Sequence, residues 1–164
     1  MPIEAALRAP ETADEAALLA LNNAHAIELS ALTTPALRAL LADAFRARVA
    51  GACRGMLIAF DQDASYRSPN FLWFRARYPR FVYVDRVVVE PAARGRGIAR
   101  ALYDDLFAAS RVLGHEHLCC EVNIDPPNPA SDRFHQALGF VEVGREHLPA
   151  YRKTVRYLRR NLAA

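Results

Sequence analysis

The sequence is poor in cysteine and lysine and contains no long apolar run. Its three cysteines, Cys53, Cys119 and Cys120, are an odd number with two adjacent and no CxxC pair, which disfavours a disulfide framework and a structural metal site. No apolar stretch approaches the roughly 20 residues that cross a bilayer. Residues 1–21 are acidic and interrupted, unlike a signal peptide. These absences predict a reduced, cytoplasmic protein with no bound metal and no membrane partner.

The overall composition predicts one folded domain. Apolar residues make up 52% of the 164 residues, whereas disordered chains are poor in them. A chain of this length buries about two-thirds of its unfolded surface, so we expect a single domain over residues 1–164. The net charge of +3 is too small to indicate nucleic-acid binding. Lys153 is the only lysine among 21 basic residues, and we attribute the excess of arginine chiefly to coding bias.

Hydrophobic periodicity predicts alternating helices and strands. The predicted elements are helices at 12–22, 34–43, 97–112 and 131–138, and strands at 45–50, 55–60, 81–89, 117–123, 140–146 and 154–158. Thr12, in a capping box with Glu15, and Thr34 are the expected caps of the first two helices. The strand at 81–89 is apolar on both faces, which is typical of the centre of a sheet.

The segment between the predicted hairpin and the central strand is long and aromatic. Residues 61–79 are predicted as an irregular connection that holds Tyr66, Phe71, Trp73, Phe74 and Tyr78. A connection of this length is unusual in a compact domain and is often functional. The aromatic side chains either line a binding cleft or pack the connection onto the core, and the sequence leaves both alternatives open.

The segment after the central strand predicts an anion-binding site. The strand runs into a turn with Gly95 and Gly97 that opens the helix at 97–112. Backbone N–H groups at a helix N-terminus lack helical partners, and the helix dipole attracts anions there. The glycines remove side chains that would keep a phosphate from the backbone, and Arg94, Arg96 and Arg100 add positive charge. We therefore predict a phosphate or pyrophosphate cradle.

Two motifs indicate the family to which this cradle belongs. A Walker GxxxxGK[ST] pattern is absent, and a Rossmann GxGxxG pattern would need glycine where Arg100 stands. The pattern Arg94-x-x-Gly97-x-Ala99 resembles motif A, (Q/R)xxGx(G/A), of the GNAT-type acetyltransferases. Residues 128–140, NPASDRFHQALGF, resemble the later Asn…aromatic…Leu-Gly-Phe motif of that family. With the order of elements, the resemblance extends over residues 3–146 or beyond.

This resemblance implies a fold and a reaction. The fold is the α/β (α+β) GNAT fold, a mixed central sheet of about six to seven strands, splayed between strands 4 and 5 and flanked by about four helices. Acetyl-CoA enters the splay as co-substrate, without a metal, and acetyl passes directly to the primary amine of a small-molecule or amino-acid-like acceptor. Acetylation of proteins or peptides and a non-catalytic CoA-binding sensor are the alternatives. Pairing into a homodimer through the strands at 140–158 is left open.

The resemblance also implies which residues bind the cofactor. The pantetheine arm and the thioester would meet the backbone of Val87, Val88 and Val89. The pyrophosphate would be held by the amides of Arg94, Gly95, Arg96, Gly97, Ile98 and Ala99. Asn128 and Phe134 match positions that often touch CoA, although Asn128 equally suits a turn between prolines.

Three side chains are candidates for proton transfer. His135 stands where the resemblance places a tyrosine acid, and the alternative is a packing histidine on a short helix. Asp85 and Glu121 lie on the strands that border the splay, and by alternation we expect Asp85 to share a face with Tyr83 and Val87. A raised pKa would suit either carboxylate as a base. Each carboxylate would otherwise bind the acceptor's ammonium or form an internal ion pair with an arginine.

Other polar residues are weaker candidates. His25 and Glu28 lie between the first two predicted helices, in a region that borders the acceptor cleft of the family. Cys119 and Cys120 are expected to be buried small side chains rather than nucleophiles, because the family transfers acetyl directly and buried cysteine packs as a small apolar residue.

Overall fold

The computed structural model describes residues 6–162. The strands are β1 (Leu7–Arg8), β2 (Arg46–Ala50), β3 (Gly55–Asp61), β4 (Phe81–Val89), β5 (His117–Asp125), β6 (Val141–Leu148) and β7 (Lys153–Asn161). The helices are α1 (Glu15–Asn23), α2 (Ala26–Leu29), α3 (Thr34–Asp43), α4 (Pro69–Arg75), α5 (Ile98–Val112) and α6 (Pro129–Ala137). Short 3₁₀ turns lie at Thr12–Asp14, Pro91–Ala93 and Pro149–Tyr151. No helix in the described range is long and apolar enough to cross a bilayer.

One mixed sheet contains all seven strands, in the order β1-β2-β3-β4-β5-β7-β6. Neighbouring strands are antiparallel except β4 and β5, which run parallel. These two strands pair only where residues 81–83 meet residues 117–119, and within the described chain they have no ladder with each other beyond that point. The predicted mixed sheet and its splay between the fourth and fifth strands are therefore confirmed.

An apolar core lies on each face of the sheet. Helix α5 covers one face, where its side chains at helical spacing, such as Leu102 and Leu106, are fully buried. Helices α1, α3 and α4 cover the other face with Leu18, Leu37 and Phe71. Strand β4 lies between the two layers, which explains why its sequence is apolar on both faces.

The first two helices begin at different caps from those predicted. A capping box joins Glu11 to Asp14 at the 3₁₀ turn Thr12–Asp14 that leads into α1, and Oδ2 of Asp14 accepts from the Glu11 N–H at 2.8 Å. Arg8 also binds Asp14 at 2.7 Å, and the box Glu11–Asp14 stands in place of the predicted box Thr12–Glu15. Thr33 rather than Thr34 caps α3 and accepts from the Ala36 N–H at 3.3 Å. Two adjacent threonines offer the same cap chemistry, so the sequence does not distinguish them.

The long aromatic connection contains a helix, so the prediction of an irregular segment over 61–79 is wrong. The Ser68 hydroxyl accepts from the Phe71 N–H at 3.3 Å and Pro69 opens α4, a start signal in the middle of the segment. Phe71 and Phe74 are fully buried in the core. Tyr66 instead lines a cavity at the splay. Some aromatic residues of this segment thus pack it onto the core, as Phe71 and Phe74 do, whereas Tyr66 lines a cavity.

Candidate active site

Strand β4 contains a β-bulge at Asp85. Its neighbours Val84 and Arg86 pair with consecutive residues of β3, so Asp85 is skipped in the ladder. Tyr83 packs in the core beneath α4, whereas Val87 packs in the core beneath α5. The expectation that Asp85 and Val87 share a face is therefore wrong, because the extra residue reverses the side-chain order beyond it.

The start of α5 fits the predicted phosphate cradle. Gly95 and Gly97 have φ angles of +77° and +80°, in the left-handed region that other residues disfavour. A Cβ atom at either glycine would meet no atom within 4 Å. The turn therefore opens onto a cavity of about 230 Å³, which Val89, Ile98 and Phe134 also line. The unpaired first amides of a helix attract anions, so the turn has the space and the donors for a phosphate group.

Arg94 has contacts that the sequence does not reveal. Its N–H donates to the Pro91 carbonyl oxygen at 3.3 Å, so this amide of the predicted cradle is occupied. Its Nη2 lies 3.1 Å from Nε2 of His25. The His25 Nδ1 lies 3.0 Å from the Leu21 carbonyl oxygen, which can only accept, so Nε2 is free to accept from Arg94. This contact joins the segment between α1 and α2 to the cradle.

A groove of about 360 Å³ continues from the cradle along β4, and we call it the α5 groove. Its lining includes residues 87–89, Arg94, Ala99, Asn128 and Phe134. Asn128 also caps α6, because its Oδ1 accepts from the N–H of Ser131 at 3.3 Å. The predicted cofactor residues of β4, α5 and α6 thus meet along one opening. Arg96 lies on the same turn without lining either cavity.

Two further cavities occupy the gap between β4 and β5. A passage of about 90 Å³ shares Val87 and His135 with the α5 groove. It leads to a cavity of about 220 Å³ on the other side of the sheet, which we call the polar cavity. Three carboxylates line both the passage and the polar cavity: Glu28, Asp85 and Glu121. Asp85 and Glu121, which the sequence places on the strands bordering the splay, therefore face one cavity.

Glu121 lies at the junction of the passage and the polar cavity. Its Oε2 accepts from the Tyr83 hydroxyl at 2.6 Å. Burial, partly offset by this hydrogen bond, raises the pKa of Glu121 to about 7. Near neutral pH the carboxyl therefore exists in both forms, which suits a group that accepts and releases a proton.

Asp85 forms an internal ion pair with Arg86, which was one of the alternatives to its role as a base. Its Oδ2 accepts from Nε of Arg86 at 2.7 Å, and its Oδ1 accepts from the Tyr66 hydroxyl at 2.7 Å. Arg86 also donates to Oδ1 of Asn22 at 2.7 Å. The side chains of Asp85 and Arg86 are only 5% and 6% exposed, so each charge offsets the cost of burying the other.

His135 is a buried ring with both nitrogens engaged. Its Nδ1 lies 2.8 Å from the Ser131 carbonyl oxygen and therefore carries the proton. Its Nε2 then accepts from the Tyr103 hydroxyl at 2.6 Å. Burial lowers the pKa of His135, which favours the neutral ring. These contacts join α6 to α5 and support the packing alternative over the role of an acid.

The two adjacent cysteines are poor nucleophiles. Cys119 and Cys120 are buried on β5, and burial raises the pKa of both thiols. The thiolate, which is the nucleophilic form, is therefore suppressed. Within residues 6–162 no group of three or more histidine, cysteine, aspartate or glutamate side chains is placed to hold a metal ion.

Several contacts of the site do not follow from the sequence. The hydroxyls of Tyr66, Tyr83 and Tyr103 donate to the three side chains considered for proton transfer. A tyrosine on an otherwise apolar face is a usable signal, since a buried hydroxyl needs a partner. Lys153, which lines the polar cavity, has no such local signal.

Comparison with known proteins decides the family. Residues 29–140 match the model of the acetyltransferase (GNAT) family. The chain belongs to the GNAT acetyltransferase family. This GNAT chain is accordingly an acetyl-CoA-dependent N-acetyltransferase, and the resemblance drawn from the two motifs is confirmed together with the enzyme class and the co-substrate.

Solved structures share the GNAT fold. The ribosomal-protein-S18-alanine N-acetyltransferase from Escherichia coli is 14% identical, with a TM-score of 0.71 over 97% of this chain and 94% of that chain. An N-acetyltransferase from Staphylococcus aureus Mu50 is 20% identical, with a TM-score of 0.68 over 96% of this chain and 98% of that chain. The yncA protein of Salmonella typhimurium, solved with its cofactor acetyl-CoA, is 21% identical, with a TM-score of 0.69 over 97% of this chain and 94% of that chain. These identities support the fold alone. Sequence comparison with curated proteins finds no significant match.

Proposed function

We propose that this GNAT enzyme transfers acetyl from acetyl-CoA directly to the primary amine of a small, amino-acid-like acceptor. The observation that carries the acceptor class is the polar cavity, whose volume is about 220 Å³. Pockets for drug-sized ligands span about 300–1,000 Å³, so this cavity suits a smaller molecule. Leu29 of α2, Tyr66 before α4 and Tyr151 between β6 and β7 line the cavity and narrow the approach.

The cofactor contacts in this proposal come from three elements. Bound acetyl-CoA supplies an activated acetyl thioester. We assign the pantetheine arm to the backbone of Val87, Val88 and Val89, and one wall of the α5 groove to Asn128 and Phe134. We assign the pyrophosphate to the turn and the first amides of α5, from Gly95, Arg96, Gly97, Ile98 and Ala99. Arg94 contributes its side-chain charge, because its own N–H is bonded to Pro91.

Glu121 is the proposed proton acceptor. An ammonium group must lose a proton before its nitrogen can attack. Glu121 lines both the passage and the polar cavity, and its pKa of about 7 leaves a carboxylate fraction at neutral pH. The first proton passes from the acceptor ammonium to this carboxylate. The nitrogen then bonds to the acetyl carbon as the C–S bond breaks, and CoA leaves as a thiol that carries the second proton given up by the nitrogen. The Tyr83 hydroxyl, 2.6 Å from Oε2, holds the group in place.

Asp85 and His135 are assigned positioning roles. Asp85 is compensated by Arg86, and its hydrogen bond from Tyr66 fixes one wall of the polar cavity. His135 is bonded at both nitrogens, so it fastens α6 beside α5 rather than protonating the leaving thiolate. The passage between groove and cavity then keeps its shape during turnover. A cytoplasmic location and a single domain over residues 1–164 remain predictions.

Acetylation of a protein N-terminus or lysine is the second candidate. The observation in its favour is the similarity of fold to an enzyme that acetylates ribosomal protein S18. A panel of matched acceptors separates the two: free amino acids, peptides that begin with the same residues, and lysine peptides with a blocked N-terminus. Thiol release from acetyl-CoA is measured for each.

We expect kcat/KM for the best free amino acid to exceed that of its matched peptide by about tenfold or more, since the cavity excludes a continuing chain. A preference for either peptide class would replace the small acceptor with a protein. Binding of acetyl-CoA without thiol release for any member would favour the non-catalytic sensor.

A further inference from the structure

The charged side chains of the polar cavity are separated by sign along its length. Glu28, Asp85 and Glu121 line both the passage and the cavity, so the carboxylates stand at the end nearest the α5 groove. Lys153 lines the polar cavity but not the passage. When the amine of an acceptor reaches the passage, the Lys153 ammonium therefore faces a part of the acceptor that lies further from the reacting nitrogen.

Lys153 is available to a ligand, whereas the other cation of the cavity is not. Arg86 is bonded to Asp85 and Asn22, both at 2.7 Å. Lys153 is partly buried, and its ammonium has no hydrogen bond or ion pair with any residue among 6–162. A partly desolvated ammonium without a partner is stabilised when an anion binds it.

The backbone holds Lys153 in a defined position. It is the first residue of β7 and pairs with Leu148, the last residue of β6, across the turn at Pro149–Tyr151. Two residues on, Val155 pairs with Asn123 of β5. Leu148 and Val155 also line the cavity and offer an apolar surface to the lysine stem. The ammonium is thus presented from paired strands rather than from a free loop.

We propose that Lys153 binds a carboxylate of the acceptor, so that the substrate is a zwitterionic amino acid rather than a simple amine. The inference rests on the proposed N-acetyltransferase function. A cavity of about 220 Å³ has room for one small molecule that carries both the amine and the carboxylate. Leu29, Leu148 and Tyr151 line the same cavity and suit an apolar side chain on that molecule.

Pairs of acceptors that differ only in the carboxylate test this assignment. Leucine is compared with 3-methylbutylamine, and phenylalanine with 2-phenylethylamine, by thiol release from acetyl-CoA. The enzymes are wild type, Lys153→Met, Lys153→Arg and the control Arg152→Met, which removes the neighbouring exposed charge. Comparison of variants on one acceptor cancels differences in amine basicity between acceptors.

We expect Lys153→Met to lower kcat/KM for the amino acids by about 10- to 100-fold, mainly through KM, and that for the simple amines by about twofold at most. Lys153→Arg should retain most of the activity toward the amino acids, and Arg152→Met should match wild type.

Equal losses on amino acids and amines in Lys153→Met would overturn the carboxylate contact while leaving N-acetyl transfer intact. So would a wild-type enzyme that acetylates the simple amines as well as the amino acids. A wild-type enzyme that binds acetyl-CoA but acetylates no amine would refute the proposed function, and this inference with it.

Discussion

Replacement of Glu121 by glutamine tests the proposed proton transfer. Glutamine keeps the shape of the side chain and an oxygen for the Tyr83 hydroxyl, which lies 2.6 Å from Oε2, but it cannot take up a proton. Because the pKa of Glu121 is about 7, wild-type kcat/KM should rise with pH as the carboxyl ionises. We expect the variant to lose about 10²- to 10⁴-fold in kcat and to lose that rise in its pH profile.

The same substitution should stabilise the fold above neutral pH. The pKa of Glu121 is about 7 in the folded chain against an ordinary value of 4.5. Between these values the unfolded chain has released a proton that the folded chain still holds, so stability falls as pH rises. The loss is on the order of 3 kcal/mol, and glutamine removes it. The variant should thus be less active and more stable at about pH 8, with little change in stability at about pH 4.

Two assays check both effects. Thiol release across neutral pH gives the activity profile, and urea unfolding at about pH 4 and about pH 8 gives the stability difference. Glu116→Gln is the matched control, because it removes an exposed carboxylate just before β5. The reasoning fails if Glu121→Gln keeps the wild-type kcat and pH profile, or if its stability at the higher pH does not exceed that of wild type.

Further variants test the cradle, the ion pair and the histidine. Gly97→Glu should abolish acetyl-CoA binding in calorimetry while a cooperative thermal transition remains, since the left-handed backbone costs only about 1–2 kcal/mol. Arg86→Met should lower the free energy of unfolding in urea by about 3–5 kcal/mol, because the buried Asp85 carboxylate loses its partner. Adding Asp85→Asn should restore most of that loss. His135→Gln should lower the melting temperature but keep kcat for thiol release within about threefold of wild type.

Each of these variants has an outcome that contradicts the account. Retained binding of acetyl-CoA by a folded Gly97→Glu variant would show that the cradle is not the phosphate site. Wild-type stability of Arg86→Met would argue against a compensating ion pair. A fall in kcat of about 100-fold or more in a folded His135→Gln enzyme would return the histidine to proton transfer.

The parts of the fold that follow from local patterns are predicted well from the sequence. Sequence and structure agree for the apolar strand at 81–89, the glycine turn and the apolar face of α5. Each of these features follows from a single local pattern: apolar residues on both strand faces, glycine in the turn, or apolar residues at helical spacing. The caps before α1 and α3 each lie one residue earlier than predicted, at Glu11 and Thr33, because neighbouring polar residues compete for the same position. Helix α4 is missed because its start signal, Ser68 with Pro69, lies inside an otherwise irregular segment.

The site is predictable in position but not in its side-chain contacts. The bulge at Asp85 reverses the alternation of β4, and no local sequence signal marks it. The partners of Glu121 and His135 are tyrosines on other elements, Tyr83 and Tyr103, which only the packed sheet brings near. The presence of Lys153 in the same cavity as the carboxylates likewise depends on the pairing of β7 with β5 and β6. Long-range geometry of this kind is not encoded in spacing along the chain.

The most direct test of the central claim is whether acetyl lost from the thioester appears on the acceptor nitrogen. Purified enzyme is mixed with acetyl-CoA and an amino acid, and free thiol and N-acetyl product are quantified together by absorbance and mass spectrometry. The account predicts equal amounts of thiol and N-acetyl amino acid, both dependent on the acceptor. Thiol release without N-acetyl product, or bound acetyl-CoA with neither, would contradict direct transfer at the splay between β4 and β5.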